Sequence, residues 1–289
     1  MNIGVFASES IAVGLVEGHK LAGPVHTAEG LQGLHRDDVA ARLHDHVVEA
    51  CAAAGMSVDA IGAVGIGIPG IIRGGVIEES PNVPQLKGLN LENALKETGL
   101  KAAVLVLNDA DATAAGVAAT RGHMEKLIRV WTLGYGIGFG RYPRAEGVWE
   151  GGHGVVTLDP KEQFCGCGGQ GHLEGIMGHR AMRMRFLDLE PEEVFANAKT
   201  GDARCTAFVK LWHRALAAAT ATTVHQAGPG RFYISGHNAK HIEIELLSHY
   251  LHDMVKMSPL QGSVFEVIAT SEETAIIGAA VNAGLSIAQ

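Results

Sequence analysis

The sequence predicts an α/β protein built as two halves on a common plan. Three observations carry this. Apolar runs of strand length alternate with helical spacings almost from end to end. Two stretches of small residues, Ile3–Val16 and Val130–Tyr142, each read as a β-hairpin that opens a βα unit. The length of 289 residues fits roughly two ordinary domains, and no period of roughly 20–50 residues runs through the chain.

Taken in order, the first hairpin carries Glu9 within its apolar stretch and has no basic start, so it is read as a strand pair and not as a signal peptide. Val39, Leu43, Val47 and Cys51 recur at a helical spacing of four, and Gly55 ends that helix. "AIGAVGIGIPG" is a short buried strand entering a glycine loop. Ala102 to Leu107 is a strand that breaks at Asn108 into a small-residue helix. "LIRVWTLGYGIGFGRY" is strand, glycine turn, strand. The stretch from Glu192 to Gly228 reads as two helices, "RFYISGHNAKH" as strand and loop, and "IEIELLSHYLHDMV" as a helix. "SVFEVIATS" is a strand, after which Ser271 caps a final helix.

A composition of 47% hydrophobic and 19% charged residues supports a large core and argues against disorder. With a net charge of −8 and no basic block, nucleic acid and anionic membrane surfaces are not expected partners. No apolar run is long enough to span a bilayer. Cys51 and Cys205 lie in helical stretches and read as buried side chains. Cys165 and Cys167 are too close for an ordinary disulfide framework, which points to a reducing cytoplasm and thiols free for metal.

"FCGCGGQGHLE" brings Cys165, Cys167 and His172 together, and "WEGGHG" adds His153 twelve residues before Cys165. Two thiolates and two imidazoles form a ligand set that zinc favours. Gly166, Gly168 and Gly169 let the backbone curl so that both thiols face one point. Two packed cysteines in a tight turn, with His172 on the surface, would have the same spacing.

These motifs, in this order, resemble the ROK family of bacterial sugar kinases and sugar-responsive repressors. Glu150-Gly-Gly-His153 followed by Cys165-Gly-Cys-Gly-Gly-Gln-Gly-His172-Leu-Glu174 matches the family's metal loop, with His172 where a third cysteine is usual. "GIGIPG", "SPNVPQLKGLNL", "LNDADATAAG", "TLGYGIGFG" and "ISGHNA" resemble the family's sugar-side, catalytic, second phosphate and adenosine-side loops. The resemblance implies two actin-like, ribonuclease H-like domains around a central cleft. The expected division is a small domain over 1–110, with the helix 272–289 packed back on it, and a large domain over 111–271 that holds the zinc loop. It implies a hexose held by Asn82, Asn108, Asp109, Glu150, His153 and Glu174, with Asp109 as the catalytic base. It implies a structural zinc on His153, Cys165, Cys167 and His172, a nucleotide phosphate cradle at Gly134, Gly136, Gly138 and Gly236, and a homodimer. Carboxylates and Asn amides suit a sugar because each can serve two neighbouring hydroxyls.

The donor side departs from the family. Its D-x-G-G-T strand, which helps hold Mg-ATP, aligns with Val5-Phe6-Ala7-Ser8-Glu9-Ser10. An apolar residue stands where the magnesium partner belongs, side chains replace both glycines, and Glu9 takes the threonine's place. Tyr135 replaces a small hydroxyl residue and is expected to fill the γ-phosphate space, and His237 replaces a glycine. Two readings follow: a sugar kinase using ATP, another nucleotide or polyphosphate, and a non-catalytic sugar-binding pseudokinase or sensor. Because the chain starts at the first kinase strand, without a helix-turn-helix before it, DNA binding is not expected.

Overall fold

The structure is a computed structural model and describes residues 1–145 and 147–287. Its contacts divide the chain into two units. One joins Met1–Ile128, Gly140–Val148 and the stretch from Ser271 onward; the other joins Arg129–Phe139 and Trp149–Thr270.

The first unit is built on β1 (Asn2–Ala7), β2 (Ser10–Glu17), β3 (Lys20–Leu21), β4 (His26–Glu29), α1 (Val39–Ala53) and β5 (Ala63–Ile68). It continues through β6 (Ile71–Arg73), β7 (Val76–Glu79), β8 (Leu89–Asn90), α2 (Leu91–Glu97), β9 (Ala103–Asn108) and α3 (Asp109–Thr120). The main sheet has the order β3-β2-β1-β5-β9, with β4 also on β2. β1 is antiparallel to β2 and parallel to β5, and β5 is parallel to β9. Every residue of β5 is buried, as expected for a parallel strand covered on both faces.

The C-terminal helix (Glu272–Ile287) lies on this sheet at backbone distance. A Cβ added at Gly4 would overlap the Ile276 carbonyl, and one at Gly65 the Ala279 carbonyl. Against α3 the contact is equally close: a Cβ at Gly116 would strike the Thr274 carbonyl, and one at Gly278 the Ala112 carbonyl. This packing moves the expected domain boundary. The helix over 272–287 lies in the first unit, but so does all of α3, because its small residues are matched to that helix. The division therefore falls after Ile128 instead of residue 110, and Gly140–Val148 also belongs to the first unit.

The antiparallel sheet β6-β7-β8 was not foreseen from the sequence. Its signal is "RGGV": Arg73 pairs with Val76 across Gly74 and Gly75, which have φ of 56° and 75°. Positive φ at both central residues is what a two-residue hairpin turn of this hand requires.

The second unit contains nearly all of β10 (Ile128–Leu133), the first half of β11 (Ile137–Tyr142), and α4 (Leu173–Met177), α5 (His179–Arg185), α6 (Pro191–Lys199), α7 (Ala203–Ala227), β12 (Arg231–Ser235), α8 (Ile244–Met254) and β13 (Val264–Val267). Its sheet has the order β11-β10-β12-β13. Trp131, Phe195, Phe208, Trp212 and Phe232 are among the aromatic residues of its core. Both indoles find acceptors: Trp131 Nε1 donates to Thr220 Oγ1 at 3.2 Å and Trp212 Nε1 to the Met177 carbonyl at 3.3 Å. Among the described residues, no helix is long and apolar enough to cross a membrane.

Candidate functional site

His153, Cys165, Cys167 and His172 meet in the second unit, each offering one donor atom, all within 4.8 Å of one another. His153 Nδ1 and Cys165 Sγ are 3.4 Å apart, the two sulfurs 3.4 Å, and Cys167 Sγ and His172 Nδ1 3.3 Å. In a tetrahedral shell with sulfur at about 2.3 Å and nitrogen at about 2.0–2.1 Å from the ion, neighbouring donors stand about 3.3–3.8 Å apart. The four side chains can therefore hold a metal ion.

The chain supports this cluster from both ends. Val155 and His172 form a β-bridge, with the Val156 amide donating to the Gly171 carbonyl at 2.8 Å and Leu173 to Gly154 at 2.9 Å. Gly169 is required beside the cluster, because a Cβ there would run into the His172 ring. A buried ion pair between Glu162 and Arg185 anchors the loop to α5, and the Arg185 guanidinium lies 4.6 Å from the centre of the Phe164 ring. Sequence reasoning missed this pair. Nothing in the pattern of a single chain links residues 23 positions apart through a partly buried guanidinium.

The electrostatics favour a cation here. Burial, with the neighbouring Cys167 and Glu174, pushes the Cys165 thiol up to about 12. A thiolate at that position needs a positive charge beside it. Burial lowers the affinity of His172 for a proton, and His153 adds to the effect, so neutral imidazole is favoured. Burial alone thus favours the neutral Cys165 thiol and the neutral His172 imidazole, and it is the convergence of the four donor atoms that points to a metal.

Two carboxylates flank the cluster. Glu174 Oε1 lies 3.5 Å from Cys165 Sγ, while its Oε2 accepts the Ile137 amide at 3.0 Å. That bond ties the start of α4 to the start of β11. Glu150 immediately precedes the turn Gly151–His153. A Cβ at Gly152 would overlap the Ile137 carbonyl and one at Gly151 would press on Phe139, so the glycine pair seats this turn directly on β11. Desolvation raises the Glu150 carboxyl above its ordinary range; His153 offsets the rise and the Glu174 charge adds to it. With Nδ1 turned to the cluster, His153 keeps Nε2 for another partner.

The first unit holds the other expected residues. Asn108 ends β9 and caps α3: its Oδ1 accepts the Ala110 amide at 2.8 Å and its Nδ2 donates to the Gly70 carbonyl at 2.9 Å. Asp109 follows as the first residue of α3, half-buried, at the carboxyl end of a parallel strand where α/β sites commonly lie. Ser80 donates to the Pro69 carbonyl at 2.6 Å, so "IPG" and "SPN" are laced to the strand that carries Asn108. Asn82 is exposed in the turn that follows.

The donor-side glycines lie in the second unit. The Gly134 amide donates to the Gly136 carbonyl at 3.0 Å, and the His179 amide to the Gly134 carbonyl at 3.0 Å. A Cβ at Gly136 would reach 2.6 Å from Glu174 Oε2, so a side chain there would displace that carboxylate. Gly138 continues the loop into β11. Gly236, at φ 96°, lies against Leu133 and donates to Thr270 Oγ1 at 2.9 Å. Tyr135 is 77% exposed, its ring 5.4 Å from that of His179. His237 bonds Glu192 at 2.9 Å, which helps pull that carboxyl down to about 2. In the first unit, Ser8 and Glu9 form the turn between β1 and β2, with Ser8 donating to the Ser10 carbonyl at 2.9 Å and Ser10 Oγ to Glu272 Oε1 at 2.9 Å.

A family model described as "ROK family" matches residues 22–283. A glucokinase from Pyrobaculum calidifontis is 31% identical over 196 residues, which is 63% of this chain and 64% of the relative's own length. A kanosamine kinase from Amycolatopsis mediterranei is 28% identical over 278 residues, covering 91% of this chain and 86% of its own. Among solved structures, the ROK hexokinase from Thermus thermophilus superposes with a TM-score of 0.81 at 24% identity, over 99% of both chains. That likeness shows the fold, the actin-like two-domain α/β architecture.

Proposed function

Since the chain belongs to the ROK family, we propose that it is a sugar kinase that binds a hexose or hexose derivative and transfers a phosphoryl group to one of its hydroxyls. The observation that carries the reading is the double duty available to His153, with Nδ1 at the metal cluster and Nε2 left over, on a loop that also carries Glu150 and Glu174. Asn82, Asn108 and Asp109 are assigned to the same sugar. The carboxylate of Asp109 accepts the proton of the attacking hydroxyl. The kinases among the relatives favour catalysis over a non-catalytic sugar-binding role.

Zinc fits the donor set of His153, Cys165, Cys167 and His172. When bound it supplies the positive charge that keeps both sulfurs as thiolates and fixes the His153 ring. Its role is structural, holding Glu150 and Glu174 in place for the sugar. The replacement of the family's usual cysteine by His172 preserves the ligand count.

Gly134, Gly136, Gly138 and Gly236 are the assigned cradle for the phosphoryl donor. The residues of the β1–β2 turn fit Mg-ATP poorly: Val5, Phe6 and Ala7 offer no carboxylate, and Glu9 would oppose a phosphate. The donor is therefore ATP used weakly, another nucleotide, or polyphosphate. The proposal includes a homodimer and a cytoplasmic location. A phosphoryl-transfer screen of hexoses and amino-hexoses against ATP, other nucleotides and polyphosphate tests it. Transfer from any donor supports the kinase. Sugar binding without transfer from any of them replaces it with the sensor.

A further inference from the structure

A second cluster of metal-ligating side chains lies wholly in the first unit. His26 starts the edge strand β4, where it pairs with Val13 of β2. His46 and Glu49 lie three residues apart on α1, a spacing that puts both on one helix face. Their donor atoms converge. His26 Nε2 is 3.2 Å from His46 Nδ1 and 3.1 Å from Glu49 Oε2, and His46 Nδ1 is 2.9 Å from the same oxygen.

Hydrogen bonding alone does not satisfy this triangle. With the carboxylate ionised, all three corners cannot be paired. If both ring nitrogens carry protons, two donors face each other at 3.2 Å. If only one does, the other nitrogen presents a lone pair to the carboxylate oxygen. A cation on the axis of the triangle accepts a lone pair from each corner at once. Donors held at about 2.0–2.2 Å from one ion, at angles between octahedral and tetrahedral, stand about 2.8–3.6 Å apart, a range that includes all three sides.

We propose that His26, His46 and Glu49 form a second metal site, for a divalent transition ion of the zinc class. Two imidazoles and one carboxylate suit zinc, nickel or copper better than calcium or magnesium. The site is open on its outer side: the Glu49 side chain is 55% exposed and that of His26 32%, so water completes the coordination. His46 is buried, and its Nε2 has no hydrogen-bond partner. A ligating histidine normally gains basicity by donating its other N–H, so this ion is held more weakly than one in the cysteine cluster. Bound there, it clamps the outer strand β4 to α1.

Calorimetric titration of zinc chloride into the full chain as purified, with its starting zinc content measured, tests the site. The expected result is one equivalent taken up by the wild type that is absent in both His26→Gln and Glu49→Gln. The content of the cysteine cluster should be unchanged in those variants. Both substitutions are at accessible side chains, which keeps the fold out of the question; circular dichroism checks it. Cobalt provides a second readout, because this equivalent should add visible bands without the thiolate charge-transfer absorption that cysteine ligation produces. No uptake beyond the cysteine cluster would overturn the proposal. So would uptake that persists in both variants, since it would belong to other histidines.

Discussion

The loop from Glu150 to Glu174 and the turn between β1 and β2 are both short, irregular and assigned to the reaction, yet they are held very differently. The first is fixed by a glycine pair seated on β11, a β-bridge, a buried Glu162–Arg185 pair and four converging metal donors. The second is held by a backbone bond across Ser8–Ser10, by Ser10 against Glu272 and Glu29 of β4, and by Gly30 packed on the Ser8 and Glu9 carbonyls, with no metal donors or ion pair of its own among these contacts. A sugar is bound by many hydroxyl contacts whose geometry must be set in advance, and under the proposed assignment the first loop would provide that order. A phosphate tail needs bare backbone amides, and the second loop covers its backbone with Ser8 and Glu9.

The largest effect should come from Asp109→Asn. Loss of a positioned general base is worth about 10²–10⁴ in rate. Turnover should fall by that factor while sugar affinity, read by calorimetry, falls much less. Equal losses in both would mean that Asp109 only binds sugar, and the comparison between the loops would lose its catalytic meaning.

Next in size is Glu150→Gln. Replacing a charge-assisted acceptor should weaken sugar binding by about 1.5–3 kcal/mol, roughly 10- to 150-fold. In the metal-free protein the same change should also stabilise the fold at neutral pH. The Glu150 carboxyl is raised above 4.5 in the fold, so the folded state holds its proton where the unfolded chain has released it. Stability contributed by the neutral form is present below about 4.5 and is lost as pH rises through the raised value. The Tm advantage of the variant should therefore appear at neutral pH and vanish on acidification. A variant that is less stable at pH 7 would show that Glu150 has a structural partner.

Glu174→Gln sharpens the account of the metal loop. Groups that support metal ligands typically contribute about 10- to 100-fold in metal affinity or activity. Zinc should be lost to a chelator faster from the variant than from the wild type, with the Ile137 amide bond largely kept. Unchanged chelator kinetics would place Glu174 with the sugar alone.

The smallest effect is expected from Glu9→Thr. Removing an exposed charge near a phosphate is worth about 0.2–1 kcal/mol. KM for ATP should fall by up to roughly fivefold, with KM for the sugar unchanged. No change in either would mean that the β1–β2 turn does not meet the donor.

Much of this was legible in the sequence, for identifiable reasons. The metal loop announces itself because its chemistry needs rare residue types at fixed spacing: Cys165, Cys167, His153 and His172. Asn108 was visible as a strand end and helix cap in one residue, and both roles are present. The ring contact of Tyr135 with His179, 44 residues away, is one that no local pattern could assign. Which unit α3 joins depends on the helix that faces Gly116, a contact between residues far apart in the sequence. The Glu162–Arg185 pair and the His26–His46–Glu49 triangle were illegible for the same reason. Each joins ordinary residues that only the fold brings together.

The backbone contact between the C-terminal helix and Gly4, Gly65 and Gly116 has a consequence for how the protein is made. Translation delivers β1, β5 and α3 first, but the helix that covers them comes only after Ser271. At roughly 5–20 residues per second, those apolar faces wait on the order of ten to fifty seconds for their cover. The stretch Trp149–Thr270 emerges in the interval as an unbroken segment of the second unit. The half begun first is thus completed last, and the nascent chain carries an unfinished sheet past the ribosome exit for most of its synthesis. Substitutions that fill the groove around Gly4 or Gly65 would then reveal themselves as poor yield in the cell before any defect could be measured in the purified enzyme.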